Sequence, residues 1–127
     1  MEILETEKFT LQAVDETHLK LTVFTDGEIT KEDIPPVLEF MDQFSAPVPI
    51  LLVREGSYML SVLVQISLYR EVKEHVKAIA YVDRNHKETV LTKIAKNTYM
   101  KDAKVKSFNN EQDALNWLAQ FGSLPTE

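Results

Sequence analysis

The sequence predicts an α/β domain: a mostly parallel central sheet of about five strands, led by an antiparallel hairpin and accompanied by four helices. Three observations carry that prediction. Short alternating runs open the chain, continuous apolar runs (ILLV, KAIAYV) sit in its middle, and segments with helical spacing separate the strands from there on. Strands that alternate with helices need crossovers, and crossovers imply a parallel sheet covered on both faces. A chain of 127 residues has room for one such core, so residues 1–127 are read as a single domain.

Phe9, Leu11 and Ala13 alternate with polar residues, as do Leu19, Leu21 and Val23 after the polar break DETH. This predicts a hairpin over roughly 7–14 and 18–25. TDGEITKED is then read as a turn. In DIPPVLEFMDQF, Asp33 is placed to cap a helix, and Pro35 and Pro36 fall in its first turn, where a missing N–H is no loss. Val37, Met41 and Phe44 repeat at i, i+4 and i+7 with Phe40 beside them, and SAPVP ends the element. ILLV (50–53) is apolar throughout, as a strand covered on both faces must be.

YMLSVLVQISLY fits two periods. Leu60, Val62, Val64, Ile66 and Leu68 alternate, while Met59, Val62, Leu63, Ile66, Tyr69 and Val72 form a helical stripe. Twelve residues without a turn signal, continued by REVKEH, favour the helix. KAIAYV (77–82) is the next buried strand. In DRNHKETVLTKIAKNTYM, Asn85 and Glu88 have capping-box spacing, and Val90, Leu91, Ile94 and Ala95 face the core. AKVKSF is the last strand and NNEQDALNWLAQF the last helix. Asn110 caps it, Asp113 follows three residues on, and Ala114, Trp117, Leu118 and Phe121 form its buried stripe.

Hydrophobic residues make up 44% of the chain and charged ones 27%, a balance that excludes disorder. Without cysteine there is no disulfide framework, thiolate metal site or thiol nucleophile, which fits a reducing compartment. MEILETEKF has neither a basic start nor a long apolar run, so no secretory signal is expected. The most apolar stretch, Tyr58–Tyr69, is interrupted and too short to span a bilayer, so no integral membrane association is expected either. The expected location is cytoplasmic.

A net charge of −6 argues against nucleic acid as a partner. The charge is uneven: residues 1–63 carry 12 acidic and 4 basic side chains, residues 64–127 carry 8 and 10. Seven basic residues stand between Arg84 and Lys106 against Glu88 and Asp102. Lys93 and Lys96 on that stretch are either a solvated helix face or a surface for an acidic partner.

The element order, with VKAIAYVDRN and VKSFNNEQDALNWL as the telling stretches, resembles the STAS family in its SpoIIAA-like, SEC14-related branch. Phe108, Asp113, Ala114, Leu115, Trp117 and Leu118 match that family's final strand-and-helix pattern; the resemblance is close over 77–121 and topological before it. It implies a non-catalytic protein-interaction or regulatory module, with a homodimer as one form. The alternative it implies is a carrier of a small apolar or lipidic ligand in a cleft between the first two helices. Tyr58, Met59, Tyr69, Phe40, Met41 and Phe44 would line that cleft, unless they are core. The family's switch serine follows the third strand in a motif resembling Asp-Ser-Ser-Gly. Here Arg54-Glu55-Gly56-Ser57-Tyr58 occupies that place, without the aspartate or the glycine after the serine. Ser57 therefore has two readings, a helix N-cap or a phosphorylation site.

In open α/β sheets, ligands and partners gather at the carboxyl ends of parallel strands. Three connections reach that edge and supply Arg54, Ser57, Asp83, Arg84, His86 and Asn109, with Lys93 and Lys96 on the helix beside them. The alternative for Ser57, Asp83, Asn85 and Asn110 is simple helix capping. Ser57, His86 and Asp83 come without a G-x-S-x-G elbow, the three glycines form no phosphate loop, and His18, His75 and His86 lack ligand spacing. No catalytic residue, metal or cofactor is expected.

Overall fold

A computed structural model of the chain describes residues 3–83 and 104–125. The strands, numbered along the chain, are β1 (Ile3–Glu5), β2 (Phe9–Val14), β3 (His18–Val23), β4 (Glu28–Ile29), β5 (Val48–Arg54), β6 (Met59–Leu60), β7 (Val76–Asp83) and β8 (Val105–Phe108). The described helices are α1 (Ile34–Met41), α2 (Val62–Val72) and α3 (Glu111–Leu118). Six strands form one mixed sheet in the order β1-β2-β3-β5-β7-β8, and β4 and β6 form a separate two-stranded parallel ladder. β1 pairs with β2 and β2 with β3 in antiparallel fashion; β3, β5, β7 and β8 run parallel. The expected helix over 84–100, with Asn85 and Glu88, lies outside the described residues. No helix among the described residues is long and apolar enough to cross a membrane.

The hairpin closes through Asp15 and Glu16, both with positive φ (48° and 60°), and the Thr17 N–H donates to the Val14 carbonyl at 2.9 Å. That left-handed pair supplies the twist two adjacent strands need. β5 fills the middle of the sheet because its residues are apolar on both faces. Leu51 and Val53 pack with Ala78, Ala80 and Val82 of β7 against Ala114 and Leu118 of α3. Ile50 and Val48 face the other way, onto Phe40 and Met41 of α1 with Leu11 and Leu19. The alanines lie where helix and sheet meet, so the backbones can approach closely.

Several elements differ from expectation. β1 adds a sixth strand; three residues are too few for an alternation signal to register. TDGEITKED holds β4 and a 3-10 turn, Lys31–Asp33, as well as a bend. Asp33 does not cap α1 with its side chain. It closes the preceding turn instead, accepting from the Thr30 N–H at 2.8 Å and from Lys8 Nζ at 2.8 Å. Burial opposes ionisation of Asp33, yet those hydrogen bonds and the Lys8 charge hold its carboxyl below the ordinary value. Pro35 and Pro36 do sit in the first turn of α1. Met59 and Leu60 pair with β4, so α2 starts only at Val62. Asn110 caps α3 as expected, its Oδ1 accepting from the Asp113 N–H at 2.9 Å. Trp117 is half-buried, wedged between Phe108 and Phe121 at centroid distances of 5.7 and 4.8 Å.

Candidate functional site at the strand-carboxyl edge

β5 and β7 end together, and their parallel register sets Arg54 directly opposite Asp83. The Arg54 guanidinium lies 3.6 Å from the Asp83 carboxylate, which is almost fully buried. A carboxylate that far from water needs a cation, and Arg54 supplies it. Arg54 is itself held from two sides: its Nε donates to the Gly56 carbonyl at 3.1 Å, and its guanidinium stands 4.9 Å from the centre of the Tyr58 ring. Tyr58 in turn meets Tyr81, which shares the Asp83 face of β7 by strand alternation. Burial first, then the charge and hydrogen bonding of Tyr81, push the Tyr58 hydroxyl far above its ordinary value, so it stays protonated.

The loop that carries these groups is pressed onto the end of β3. The Glu55 and Gly56 N–H groups both donate to the Val23 carbonyl, at 2.9 and 3.1 Å. A Cβ on Gly56 would collide with the backbone of Phe24 and Thr25, so this position needs glycine. Ser57 follows, exposed, its backbone N–H donating to the Asp26 carboxylate at 2.9 Å. It is not the cap of α2. Ser61 has that role, its Oγ accepting from the Val64 N–H at 3.2 Å, because β6 intervenes between Ser57 and the helix. The cap reading of Ser57 is therefore overturned.

Of the residues expected at this edge, the structure joins Arg54 to Asp83 and places Ser57 in the same loop. Asn109 is exposed at the end of β8, next to the capping Asn110. Arg84, His86, Lys93 and Lys96 lie outside the described residues. Tyr58 and Tyr81 belong to the site as well and were not expected there. Reading Tyr81 and Asp83 as two steps on one strand face would have found one of them. Phe40 and Met41, by contrast, are core residues, and Phe44 packs on Phe40 at 6.2 Å, so they do not line a cleft between α1 and α2. The edge offers a neutralised ion pair flanked by tyrosines and an exposed hydroxyl.

Next to this edge, apolar side chains stand in water: Met59 is 63% exposed, Val62 41% and Leu63 74%.

The fold resembles that of a crystal structure of an uncharacterized protein from the DUF3478 family of Shewanella loihica PV-4, described as having a SpoIIAA-like fold. The TM-score is 0.57 at 18% identity, over 93% of this chain and 100% of that one. No curated protein matches the chain. The family model described as SpoIIAA-like matches residues 20–119, well over half of the 127, and the chain belongs to the SpoIIAA-like family.

Proposed function

We propose that this protein acts by binding, as a non-catalytic interaction or regulatory module whose surface is the strand-carboxyl edge and the adjoining head of α2. One observation carries the reading: Met59, Val62 and Leu63 are left in water beside a tyrosine-lined, charge-neutralised edge. Adjoining exposed apolar side chains on a folded domain mark places where another surface docks. The partner that fits is a protein segment with an apolar stripe and basic flanks, since Asp26 and Glu28 are exposed on the loop that holds β6.

The test uses purified components. A partner recovered with the parent chain must bind it again as an isolated protein. Met59→Asp and Leu63→Asp must lose that binding while keeping the parent's melting temperature, with Lys31→Ala as the neutral control. Equal binding by the variants overturns the reading. So does native mass spectrometry in which the freshly purified chain retains an apolar small-molecule adduct, the mark of a carrier.

A further inference from the structure

At the opposite, amino-terminal end of β7 and β8 lies a cavity of about 160 Å³ between α2 and the sheet. Its apolar lining includes Tyr69, Ile79 and Val105, and three lysines complete it: Lys73 from the end of α2, Lys77 from the start of β7 and Lys104 just before β8. The backbone holds this arrangement, since the Ile79 N–H donates to the Lys104 carbonyl at 2.8 Å and the Lys73 N–H to the Tyr69 carbonyl at 2.9 Å. The Lys77 ammonium lies near Gly122, where an added Cβ would stand 3.6 Å from it.

The charge here is concentrated. Lys8, Lys20 and Arg54 each meet a carboxylate. Among the described residues no carboxylate pairs with Lys73, Lys77 or Lys104, although Glu71 and Glu74 flank Lys73 in sequence. Lys31 and Arg70 also meet no carboxylate among the described residues, but neither lines the cavity. Lys73 suits the carbonyl end of α2, but that explanation does not extend to Lys77 and Lys104, which are on no helix. In a protein of net charge −6, three cations brought to one cavity without an acid form a local anion trap.

A second, independent observation points the same way. Among the described residues, two polar side-chain atoms are buried without a hydrogen-bond partner, Ser107 Oγ and Gln65 Oε1. Ser107 stands one pleat beyond Val105 on the same face of β8, and Gln65 one helical turn before Tyr69 on α2. Neither residue lines the cavity itself; each stands one step beyond it, next along from Val105 and Tyr69. Buried polar atoms are nearly always satisfied, so the pair marks a place built to meet polar groups.

We propose that this cavity binds a small oxyanion, phosphate or carboxylate in type, between Lys73, Lys77 and Lys104, with Ser107 donating to it and Gln65 accepting from a hydroxyl or water that it carries. The volume holds about five water molecules, which limits the ligand to a free oxyanion or the head of a larger molecule. The assignment does not depend on the interaction surface at the other end of the sheet.

Isothermal titration of the full chain with inorganic phosphate, at ionic strength held constant with sodium chloride, tests it. Saturable 1:1 binding is expected. Lys73→Ala, Lys77→Ala and Lys104→Ala should each weaken it about 10-fold, and Ser107→Ala about 5-fold. Lys31→Ala should leave it unchanged. Cosedimentation with phosphatidylcholine vesicles containing phosphatidic acid separates the two sources of the oxyanion: competition by free phosphate supports a headgroup seated in the same cavity. No saturable heat with phosphate, or a triple lysine variant that binds as the parent does, overturns the proposal. Vesicle binding that free phosphate does not displace overturns it too.

Discussion

α2 and α3 flank the same sheet, and they are used in opposite ways. α3 buries Ala114 and Leu118 almost completely against β5 and β7. α2 is longer and richer in apolar residues, yet it buries Val72 alone. Apolar content therefore does not decide how well a helix docks; its distribution does. EQDALNWL gathers its large apolar side chains into one stripe, while VLVQISLY spreads them around the whole circumference. A helix that is apolar all round cannot hide every side chain against a single sheet face. On α2 the side chains from Val64 to Tyr69 end half-buried, while Val62 and Leu63 stay in water beside the edge where Arg54, Tyr58 and Asp83 meet.

The contrast can be measured most directly with matched truncations. Leu118→Ala should cost about 3 kcal/mol, because it removes a fully packed side chain. The same change at Leu63, 74% exposed, should stay within about 0.5 kcal/mol. Chemical denaturation followed by circular dichroism reads both. Similar costs at the two sites would refute the contrast. Trp117→Ala tests the outer layer of α3. The ring is half-buried, so the loss should be about 2–3 kcal/mol, below that of a fully enclosed tryptophan.

The same difference explains what could be read beforehand. α3 was legible because cap, stripe and the strand before it agreed: Asn110, then Ala114 and Leu118, after a strand ending on Phe108. β5 and β7 were legible because strands buried on both faces are apolar at every position. The start of α2 was not. Met59 and Leu60 extend only because Glu28 and Ile29 lie alongside them, a tertiary contact that no local period encodes. That displaced the cap from Ser57 to Ser61. At the candidate site, the positions of Arg54 and Asp83 could be read from strand ends, but their pairing depends on register, which only the folded sheet sets.

Caps give the next, smaller effects. Asn110→Ala should cost about 1 kcal/mol of global stability, since α3 is tied to the core and cannot fray alone. Ser61→Ala removes an equivalent bond from a helix held loosely. Its effect should appear as faster amide exchange in the first turn of α2, with the melting temperature moving less than for Asn110→Ala. Ser57→Ala should change stability by no more than about 0.5 kcal/mol, its side chain being exposed. A larger loss there would restore Ser57 as a structural residue.

The smallest effect concerns the corner where α3 reaches the hairpin. His18 is buried at the start of β3, with its Nδ1 2.6 Å from Thr17 Oγ1. Burial first and the Lys20 charge second lower its pKa from the ordinary 6.5, while Asp15 and Glu111, the first residue of α3, act in the opposite direction. A pKa lower in the folded chain means that the unfolded chain takes up the proton more readily. The stability His18 contributes is therefore complete above the ordinary value and declines as pH falls from there toward the folded value. The parent's melting temperature should accordingly drop between about pH 7 and pH 5, and His18→Gln should remove that part of the drop. Glu111→Gln should deepen it. The change removes the nearby negative charge and also releases Lys20, which Glu111 holds at 3.4 Å, to act on the imidazole alone. A Glu111→Gln protein whose acid-side loss equals the parent's would show that the first turn of α3 does not stand against β3, and the tight docking of α3 would then end short of this corner.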